Sequence, residues 1–366
     1  MRSSYWPSIR LLVFGLAAVG GQPGRAQTMP EYRPNPSAQD GFLRIFGAGM
    51  KGLVSQLEAG YLKRNPTARF SEAMGGSDAA IGSLQFGAAD IAFFGRELDL
   101  NDYLGFYEYC GHNPTEITFA SGTLDVPGAS WAPVIFVNRR NPLAQLTMKQ
   151  LDGIFGAQRT GGYHGFTWVP QHRTAAENLR TWGQLGLTGA WADQPIQTCG
   201  YAPGGMNRFF ELAVFDGGDK WAENYREYIE NGTKIMAAGS EASGVLHMLK
   251  EIEDDTYAIG WAGLPQWNQV PDITGIKMIA LAASPDGPYV LPSKATLTDR
   301  SYPLTRSVYI CLNRPTGTDV PPKVKDFIEF VLSAEGQEIV RQNGAYYPIP
   351  AAMVVKERGK LDDLPH

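Results

Sequence analysis

Glycine turns that are followed by helical patterns are the feature of this sequence with the clearest chemistry. They stand at Gly47–Gly49, Gly75–Ser77 and Gly204–Gly205, each where a strand-like run gives way to helical spacing. Glycine lets the backbone approach a ligand closely, and a helix N-terminus offers unpaired N–H groups with a partial positive charge. One such turn is weak evidence, but three facing one cleft would bind an oxyanion or a carboxylate without a metal.

The elements that must position these turns alternate along the chain. Strand-like runs at residues 42–46, 68–74 and 90–94 are separated by helical patterns, which predicts a parallel α/β sheet. Further strand-like runs are predicted at residues 117–121, 134–137, 259–263 and 308–312. A helix over 324–332 is followed by Ser333, which we expect to cap another helix. The proline-rich stretch before residue 42 and the polar insertion at 160–178 are expected to be loops.

The first 26 residues have the pattern of a secretory signal peptide. Arg2 and Arg10 form its basic region, residues 11–19 are apolar, and small residues precede a cleavage site near Ala26. The apolar run is shorter than the roughly 20 residues that span a membrane, so an exported, soluble chain is expected. An uncleaved N-terminal anchor is the alternative. The net charge of −5 argues against a nucleic-acid-binding face.

The sequence shows no set of catalytic or metal-binding residues. It contains no Gly-x-Ser-x-Gly, His-Glu-x-x-His or P-loop motif, so neither an enzyme nor a cofactor is predicted. His164 and His172 lack the cysteines or acidic residues that would complete a metal site, and we expect exposed loop histidines. Three cysteines are typical of an exported protein that does not depend on a disulfide framework. One pair could form, and which residues it would join is left open. Cys311 lies in an apolar run and is expected to be buried.

The order of several short segments resembles one known family. The matching segments lie at residues 47–49, 76–77, 89–92, 134–138, 141–143, 182–186, 258–261, 302–306 and 347–350. They resemble the phosphate-binding periplasmic proteins of ABC importers over most of residues 42–350. The resemblance implies the type II periplasmic-binding-protein fold, with two α/β lobes joined by two crossing strands that act as a hinge. It also implies a monomer without a cofactor, which captures a small inorganic anion such as phosphate for a permease in the inner membrane.

The resemblance also implies how the chain is divided. Residues 1–26 would be the signal peptide, 27–125 the first part of lobe 1, 126–299 lobe 2 and 300–366 the remainder of lobe 1. The two crossing segments are expected near residues 124–133 and 295–302.

The family's ligand contacts map onto this sequence with several changes. Ser77 matches the serine of the second turn, and Lys51 takes the place of a hydroxyl residue after the first. Gly95 stands where the family has an aspartate, which disfavours a protonated oxyanion, and the arginine expected near Gly200 is absent. The resemblance places the ligand site at Gly49, Met50, Lys51, Ser77, Arg96, Gly204, Gly205, Met206 and Asn207.

Two cations could restore the positive charge of the missing arginine. Lys51 and Arg96 would each contribute a charge-assisted hydrogen bond of about 1.5–3 kcal/mol. The alternative is that Lys51 is solvated and Arg96 pairs with an acid such as Glu97 or Asp99. The alternative function is a sensor or structural protein that keeps the fold but has a different ligand or none, and an exported enzyme is the least favoured. A cleft lined by the two cations and Ser77 would favour binding, whereas one filled by Met206 and Phe94 would favour the sensor.

Overall fold

The computed structural model describes residues 28–38, 41–229, 234–235, 241–242 and 244–363. The predicted signal peptide lies outside these residues. In the described part of the chain, no helix has both the length and the apolar character that crossing a bilayer requires.

Strands and helices alternate over residues 42–110, and later parts of the described chain also contain consecutive strands and, after residue 312, three consecutive helices. The helices are α1 (Lys51–Arg64), α2 (Ser77–Gln85), α3 (Leu100–Cys110), α4 (Met148–Phe155), α5 (Gly205–Val214), α6 (Gly244–Asp254), α7 (Leu264–Asn268), α8 (Lys294–Thr298), α9 (Pro322–Val331), α10 (Ala334–Asn343) and α11 (Ala351–Asp362). The strands are β1 (Phe42–Gly47), β2 (Arg69–Ala73), β3 (Ile91–Phe94), β4 (Thr115–Ser121), β5 (Pro133–Asn138), β6 (Gln145–Thr147), β7 (Arg159–His164), β8 (Thr167–Arg173), β9 (Gln197–Tyr201), β10 (Arg226–Tyr228), β11 (Lys234–Ile235), β12 (Glu241–Ala242), β13 (Ala258–Gly263), β14 (Ile276–Met278), β15 (Ala280–Ala282) and β16 (Ser307–Leu312).

Ten of these strands form two five-stranded sheets, in agreement with the predicted two-lobed α/β fold, and the other six form three two-stranded sheets. The first has the order β2-β1-β3-β16-β4 and the second the order β10-β9-β13-β5-β14. The predicted parallel pairing is confirmed for the three strand-like runs on which it was based, because β1 pairs parallel with both β2 and β3. Each sheet as a whole is mixed. In the first sheet β16 runs antiparallel to β3 and β4, and in the second β5 runs antiparallel to β13 and β14. Neighbouring strands that are joined by one crossover helix run parallel. Strand β16 is not joined to its neighbours in this way, because it enters the first sheet after the chain has returned from the second.

Each sheet has its own hydrophobic core. The first core contains residues from Tyr32 to Ala120 and from Val308 to Leu361. The second contains residues from Leu124 to Leu304, and Tyr347 also packs on it. The chain passes between the sheets through residues 122–132 and again between α8 and β16. Cys311 is fully buried, as predicted.

Helix caps follow the sequence closely. The Ser333 hydroxyl accepts a hydrogen bond from the Gly336 N–H, which confirms Ser333 as the cap of α10. At the start of α3, Asp99 and Asp102 form a capping box, in which each side chain accepts from the other's backbone N–H. These caps fix where the helices begin, and the start of α3 faces the second lobe.

The segment before β1 is packed rather than loosely attached. Tyr32 is only 4% exposed, and its hydroxyl donates to Oδ2 of buried Asp326 over 2.7 Å. The Tyr61 hydroxyl donates to the same oxygen over 2.6 Å, and the Asn35 N–H donates to Oδ1 over 2.9 Å. The expectation of a segment with little structure is therefore wrong. One buried carboxylate holds it, and composition does not show such an acceptor.

The insertion at 160–178 is a β-hairpin rather than a loop. Strands β7 and β8 pair antiparallel, and the rings of Tyr163 and Trp168 meet edge to face across them at 5.1 Å. Such cross-strand aromatic pairs stabilise hairpins. The hairpin tip, Gly165–Phe166, reaches the first lobe, where the Phe166 ring stacks on Tyr107 of α3 with 5.1 Å between centroids.

The predicted loop histidines therefore lie on or beside hairpin strands. His164 ends β7, with its Nε2 2.8 Å from Oδ1 of Asp216, and His172 is exposed on β8. Among the residues that the structure describes, no group of His, Cys, Asp and Glu side chains could hold a metal ion.

Candidate anion-binding site

The first two glycine turns lie side by side at the carboxyl end of the first sheet. The Gly76 N–H donates to the carbonyl oxygen of Gly47 over 3.1 Å. A Cβ on Gly47 would lie 2.8 Å from the Met74 sulfur and 3.0 Å from the Phe93 carbonyl oxygen, so only glycine fits there. Gly49 has a φ of +67°, in the left-handed region. The N-termini of α1 and α2 consequently open at the same sheet edge, as the glycine spacing predicted.

The third turn begins α5 in the second lobe. Gly204 is the N-cap residue, and Met206 and Asn207 are 5% and 2% exposed. The Asn207 amide nitrogen donates to the Tyr201 carbonyl oxygen over 2.8 Å, which ties the start of α5 to the end of β9. This turn therefore also lies at the carboxyl end of a sheet, in the opposite lobe.

A buried ion pair of the first lobe meets the N-terminus of α5. Nε and Nη2 of Arg306 donate to Oε2 of Glu97 over 3.0 and 2.9 Å. The two residues are 3% and 4% exposed. Nη1 of Arg306 contacts the Met206 sulfur, and the guanidinium lies 5.8 Å from the centre of the Phe209 ring. Arg306 thus joins the two lobes at the place where α5 begins.

Glu97 and Arg306 were both missed as site residues by sequence reasoning. A carboxylate was expected at the position of Gly95, and Glu97 lies two residues beyond that position. Arg306 belongs to a segment that matches the family, but nothing in its local pattern indicates a cleft. The signal that could have found them is their position at strand ends: Glu97 is the third residue after the apolar strand β3, and Arg306 directly precedes the apolar strand β16.

The chemistry of this pair suits an oxyanion. A guanidinium presents a planar fork of donors that matches two oxygens of such an anion. An ionised carboxylate only accepts hydrogen bonds, so it selects a ligand that carries a proton. The Tyr309 hydroxyl also donates to Glu97, over 3.4 Å, and burial followed by the Glu97 charge raises the pKa of Tyr309 well above its usual value. Tyr309 therefore remains a neutral donor beside the pair.

The predicted first-lobe residues lie at the helix starts with unequal burial. Lys51 is the exposed first residue of α1, and Ser77 is the half-buried first residue of α2. Met50, the N-cap of α1, is 2% exposed, and its carbonyl oxygen accepts from the Val54 N–H over 2.9 Å. Lys51 is thus solvated, while its backbone N–H lies at the helix start.

Arg96 makes an ion pair within the first lobe. Its Nη1 donates to Oδ2 of Asp102 and, over 3.0 Å, to the Glu97 carbonyl oxygen. Its side chain is 18% exposed. Asp102, the second residue of the α3 capping box, is therefore an acid that pairs with Arg96, as the alternative of pairing with a nearby acid predicted.

Filling of the cleft by both Met206 and Phe94 would favour a sensor, and only one of these side chains lies there. The Met206 side chain lies against Arg306 between the lobes. Phe94, in contrast, is fully buried in a small cluster of the first lobe with Leu98 and Phe106. One of the two side chains therefore occupies the cleft, and the other belongs to a core.

Comparison with known proteins assigns the chain to a class. A model of the PBP superfamily domain matches residues 47–335, and the chain belongs to that family.

Its relatives include named transport proteins. The phosphate-binding protein PstS of Pseudomonas aeruginosa is 26% identical over 349 residues, which are 94% of this chain and 95% of the relative. Among solved structures, an ABC-type phosphate transport receptor from Vibrio cholerae is 20% identical, covers 83% of this chain and 99% of its own, and has a TM-score of 0.47. PstS from Borrelia burgdorferi is 17% identical, covers 84% and 98% respectively, and has a TM-score of 0.49.

Proposed function

We propose that this protein is an exported solute-binding protein that captures phosphate between its lobes and presents it to an ABC permease. The observation that carries the proposal is the buried Arg306–Glu97 pair at the N-terminus of α5. The relatives named phosphate-binding proteins, which match 94% of the chain, support the choice of ligand. A binding role rather than catalysis, a periplasmic location and cleavage near Ala26 belong to the same proposal.

The division into lobes is also part of the proposal. Lobe 1 consists of residues 27–125 and 300–366, and lobe 2 of residues 126–299. The two separate cores support this division, although the second core extends to Leu304. Closure of the lobes around the ligand would then signal occupancy to the permease.

A bound anion would replace the weak hydrogen bond from Arg306 to the Met206 sulfur by a stronger one to an oxygen. A thioether sulfur is a poor acceptor, so the hydrogen bond from Arg306 to Met206 contributes little. A phosphate oxygen at the same place would accept a charge-assisted bond of about 1.5–3 kcal/mol. Backbone N–H groups at the start of α5 would bind further oxygens, and the Glu97 carboxylate would accept the proton of hydrogen phosphate.

Discrimination between phosphate and sulfate tests this arrangement. Sulfate is unprotonated at neutral pH, and its oxygens would face the Glu97 carboxylate without a bridging proton. We expect calorimetry to give at least about tenfold tighter binding of phosphate than of sulfate. Glu97→Gln should reduce this preference to about threefold or less, because the amide can donate to either anion.

The matched control is Glu335→Gln, which changes an exposed glutamate paired with Arg64. It should leave both affinities unchanged. Equal binding of the two anions by the parent protein would contradict the role of Glu97.

The first-lobe residues Arg96, Lys51 and Ser77 remain proposed ligands, with a definite order of effects. Arg96→Ala should weaken phosphate binding most, by about 2 kcal/mol or more, because its guanidinium is largely buried. Ser77→Ala should cost about 0.5–1.5 kcal/mol, since only a neutral hydroxyl is lost. Lys51→Ala should fall between them and lose its effect in high salt, because Lys51 is exposed.

Titration calorimetry at two salt concentrations measures all three effects, and Lys63→Ala in the last turn of α1 is the control. Phosphate binding by Arg96→Ala at the parental affinity would remove Arg96 from the site. Its pairing with Asp102 would then be a structural role within the first lobe.

A second candidate is a protein with the same fold and a different ligand or none, such as a sensor. The contact of Met206 with Arg306 favours it, because a side chain already lies against the cation. A folded protein that binds neither phosphate nor sulfate in the same calorimetry would support this candidate.

A further inference from the structure

A cavity of about 260 Å³ opens next to the N-terminus of α5, between the two lobes. Asp99 and Asn101 at the start of α3 line one side of it. The other side is formed by the hairpin and by α5. The volume approaches that of pockets for small organic ligands, about 300–1,000 Å³, and is more than the five non-hydrogen atoms of an inorganic oxyanion need.

Two buried polar side chains of α5 line this cavity, and each has one atom without a hydrogen-bond partner among the described residues. Asn207 is 2% exposed, and its Oδ1 has no partner among the described residues. Arg208 is 8% exposed, and in the same part of the chain its Nε has none. The Asn207 amide nitrogen donates to the Tyr201 carbonyl oxygen. The Arg208 guanidinium donates to the carbonyl oxygens of Tyr163 and Gly217, so both side chains hold the wall of the cavity in place.

The cavity carries more negative than positive charge. Asp99, Glu211 and Asp219 line it, against the single cation Arg208. Arg208 lies 3.8 Å from the Glu211 carboxylate and balances that charge. One oxygen of Asp99 caps α3, and its charge is not offset by any cation lining the cavity.

An exposed aromatic ring completes the lining. Trp168 is 46% exposed, which is unusual for so large a side chain, and its edge-to-face contact with Tyr163 holds it on the hairpin. An ammonium group is attracted both by the face of an indole ring and by carboxylates. A neutral substituent would gain only the contact with the ring, and an anionic one would be repelled by the carboxylates.

We propose that the cavity receives an ammonium-bearing substituent of an organic phosphate or phosphonate, whose oxyanion lies at the N-terminus of α5. Gly204 connects the two parts, because it lines the cavity and is also the N-cap of α5. The ammonium group lies between Asp99 and Trp168, and the oxyanion meets Arg306. This inference rests on the proposed anion site and narrows its ligand class.

Three ligands distinguish the contribution of the ammonium group from that of the substituent's shape and that of the phosphate group. Phosphoethanolamine carries the ammonium group, 2-hydroxyethyl phosphate has the same shape without the charge, and inorganic phosphate has no substituent. We expect calorimetry to give about tenfold tighter binding of phosphoethanolamine than of either other ligand.

Two variants locate the ammonium group. Asp99→Asn retains a residue that caps α3 well but removes the charge. It should weaken phosphoethanolamine binding about threefold or more and leave phosphate binding within twofold. Trp168→Ala should weaken phosphoethanolamine binding about fivefold. Thr167→Ala, next to Trp168 on the hairpin but outside the cavity lining, should change nothing.

Each outcome has one interpretation. If phosphoethanolamine binds no tighter than phosphate, or no tighter than 2-hydroxyethyl phosphate, the inference is wrong and the proposed function stands. If neither phosphate nor phosphoethanolamine binds, the proposed function fails and the inference with it. If only phosphoethanolamine binds and both cavity variants weaken it, the inference is supported and inorganic phosphate is excluded as the ligand.

Discussion

Replacement of Arg306 by alanine is expected to weaken phosphate binding by about 2–5 kcal/mol, which is roughly thirtyfold to several thousandfold. The variant loses the donor fork, and it also leaves the charge of Glu97 beside the anion without compensation. The remaining N–H groups of α5 would have to hold the ligand against that repulsion. Titration calorimetry with phosphate measures the change.

The single variant also loses stability, because removing one partner of a buried ion pair costs about 3–5 kcal/mol. The double variant Glu97→Gln/Arg306→Ala avoids an unpaired buried charge and keeps the test valid. Arg44→Ala is the control: Arg44 pairs with Asp90, before the amino end of β3 and away from the site. If the double variant bound phosphate as tightly as the parent, Arg306 would have no part in the site.

Replacement of Asp326 by alanine is expected to lower the free energy of unfolding by about 3–5 kcal/mol, because three donors would each lose their acceptor. The change removes the acceptor that Tyr32 and the Asn35 N–H, in the segment before β1, share with Tyr61 of α1. Burial, reinforced by Asp326, raises the pKa of both tyrosines, so they remain donors that need an acceptor. Urea unfolding followed by circular dichroism measures the loss.

Two further variants calibrate this result. Asp326→Asn keeps one acceptor oxygen and should lose less stability than the alanine variant. Asp362→Ala changes a largely exposed aspartate that pairs with Lys325, and should alter stability by no more than about 0.5 kcal/mol. An alanine variant at 326 that lost less than about 1 kcal/mol would show that the carboxylate does not hold the segment.

Local patterns in the sequence predicted most of the elements. The first strand, the glycine turn and α1 follow from apolar periodicity, because Leu53, Leu57 and Tyr61 recur at helical spacing and are all buried. The direction of β16 did not follow, since a strand's own residues are the same whichever way it pairs. The hairpin was missed for a related reason: its polar residues and glycines hide the one aromatic pair, Tyr163 with Trp168, that specifies it.

The candidate site, like the fold, was predictable from the sequence only in part. The helix starts were predictable, because glycine at a strand end is a local signal. The Arg306–Glu97 pair was not, because its members are 209 residues apart and meet only once the strands β3 and β16 are neighbours. The sequence also suggested Arg96 as a replacement cation, and the structure gives it a partner, Asp102, in the next helix. Long-range pairing of charges is decided by topology, which one sequence does not reveal.

The stacking of Phe166 on Tyr107 has a consequence for how tightly any ligand is held. This contact joins the lobes without involving the anion site, so it favours the closed form whether or not a ligand is present. A stacked pair contributes about 0.5–1.5 kcal/mol, which shifts the ratio of closed to open molecules by about two- to thirteenfold. The apparent affinity for a ligand is proportional to the fraction of molecules that are already competent to bind it. The contact at the hairpin tip therefore changes the apparent affinities for all ligands by the same factor. Selectivity between ligands can therefore evolve through the residues of the cleft. Overall affinity can evolve separately, through the two aromatic rings at the edge of the cleft.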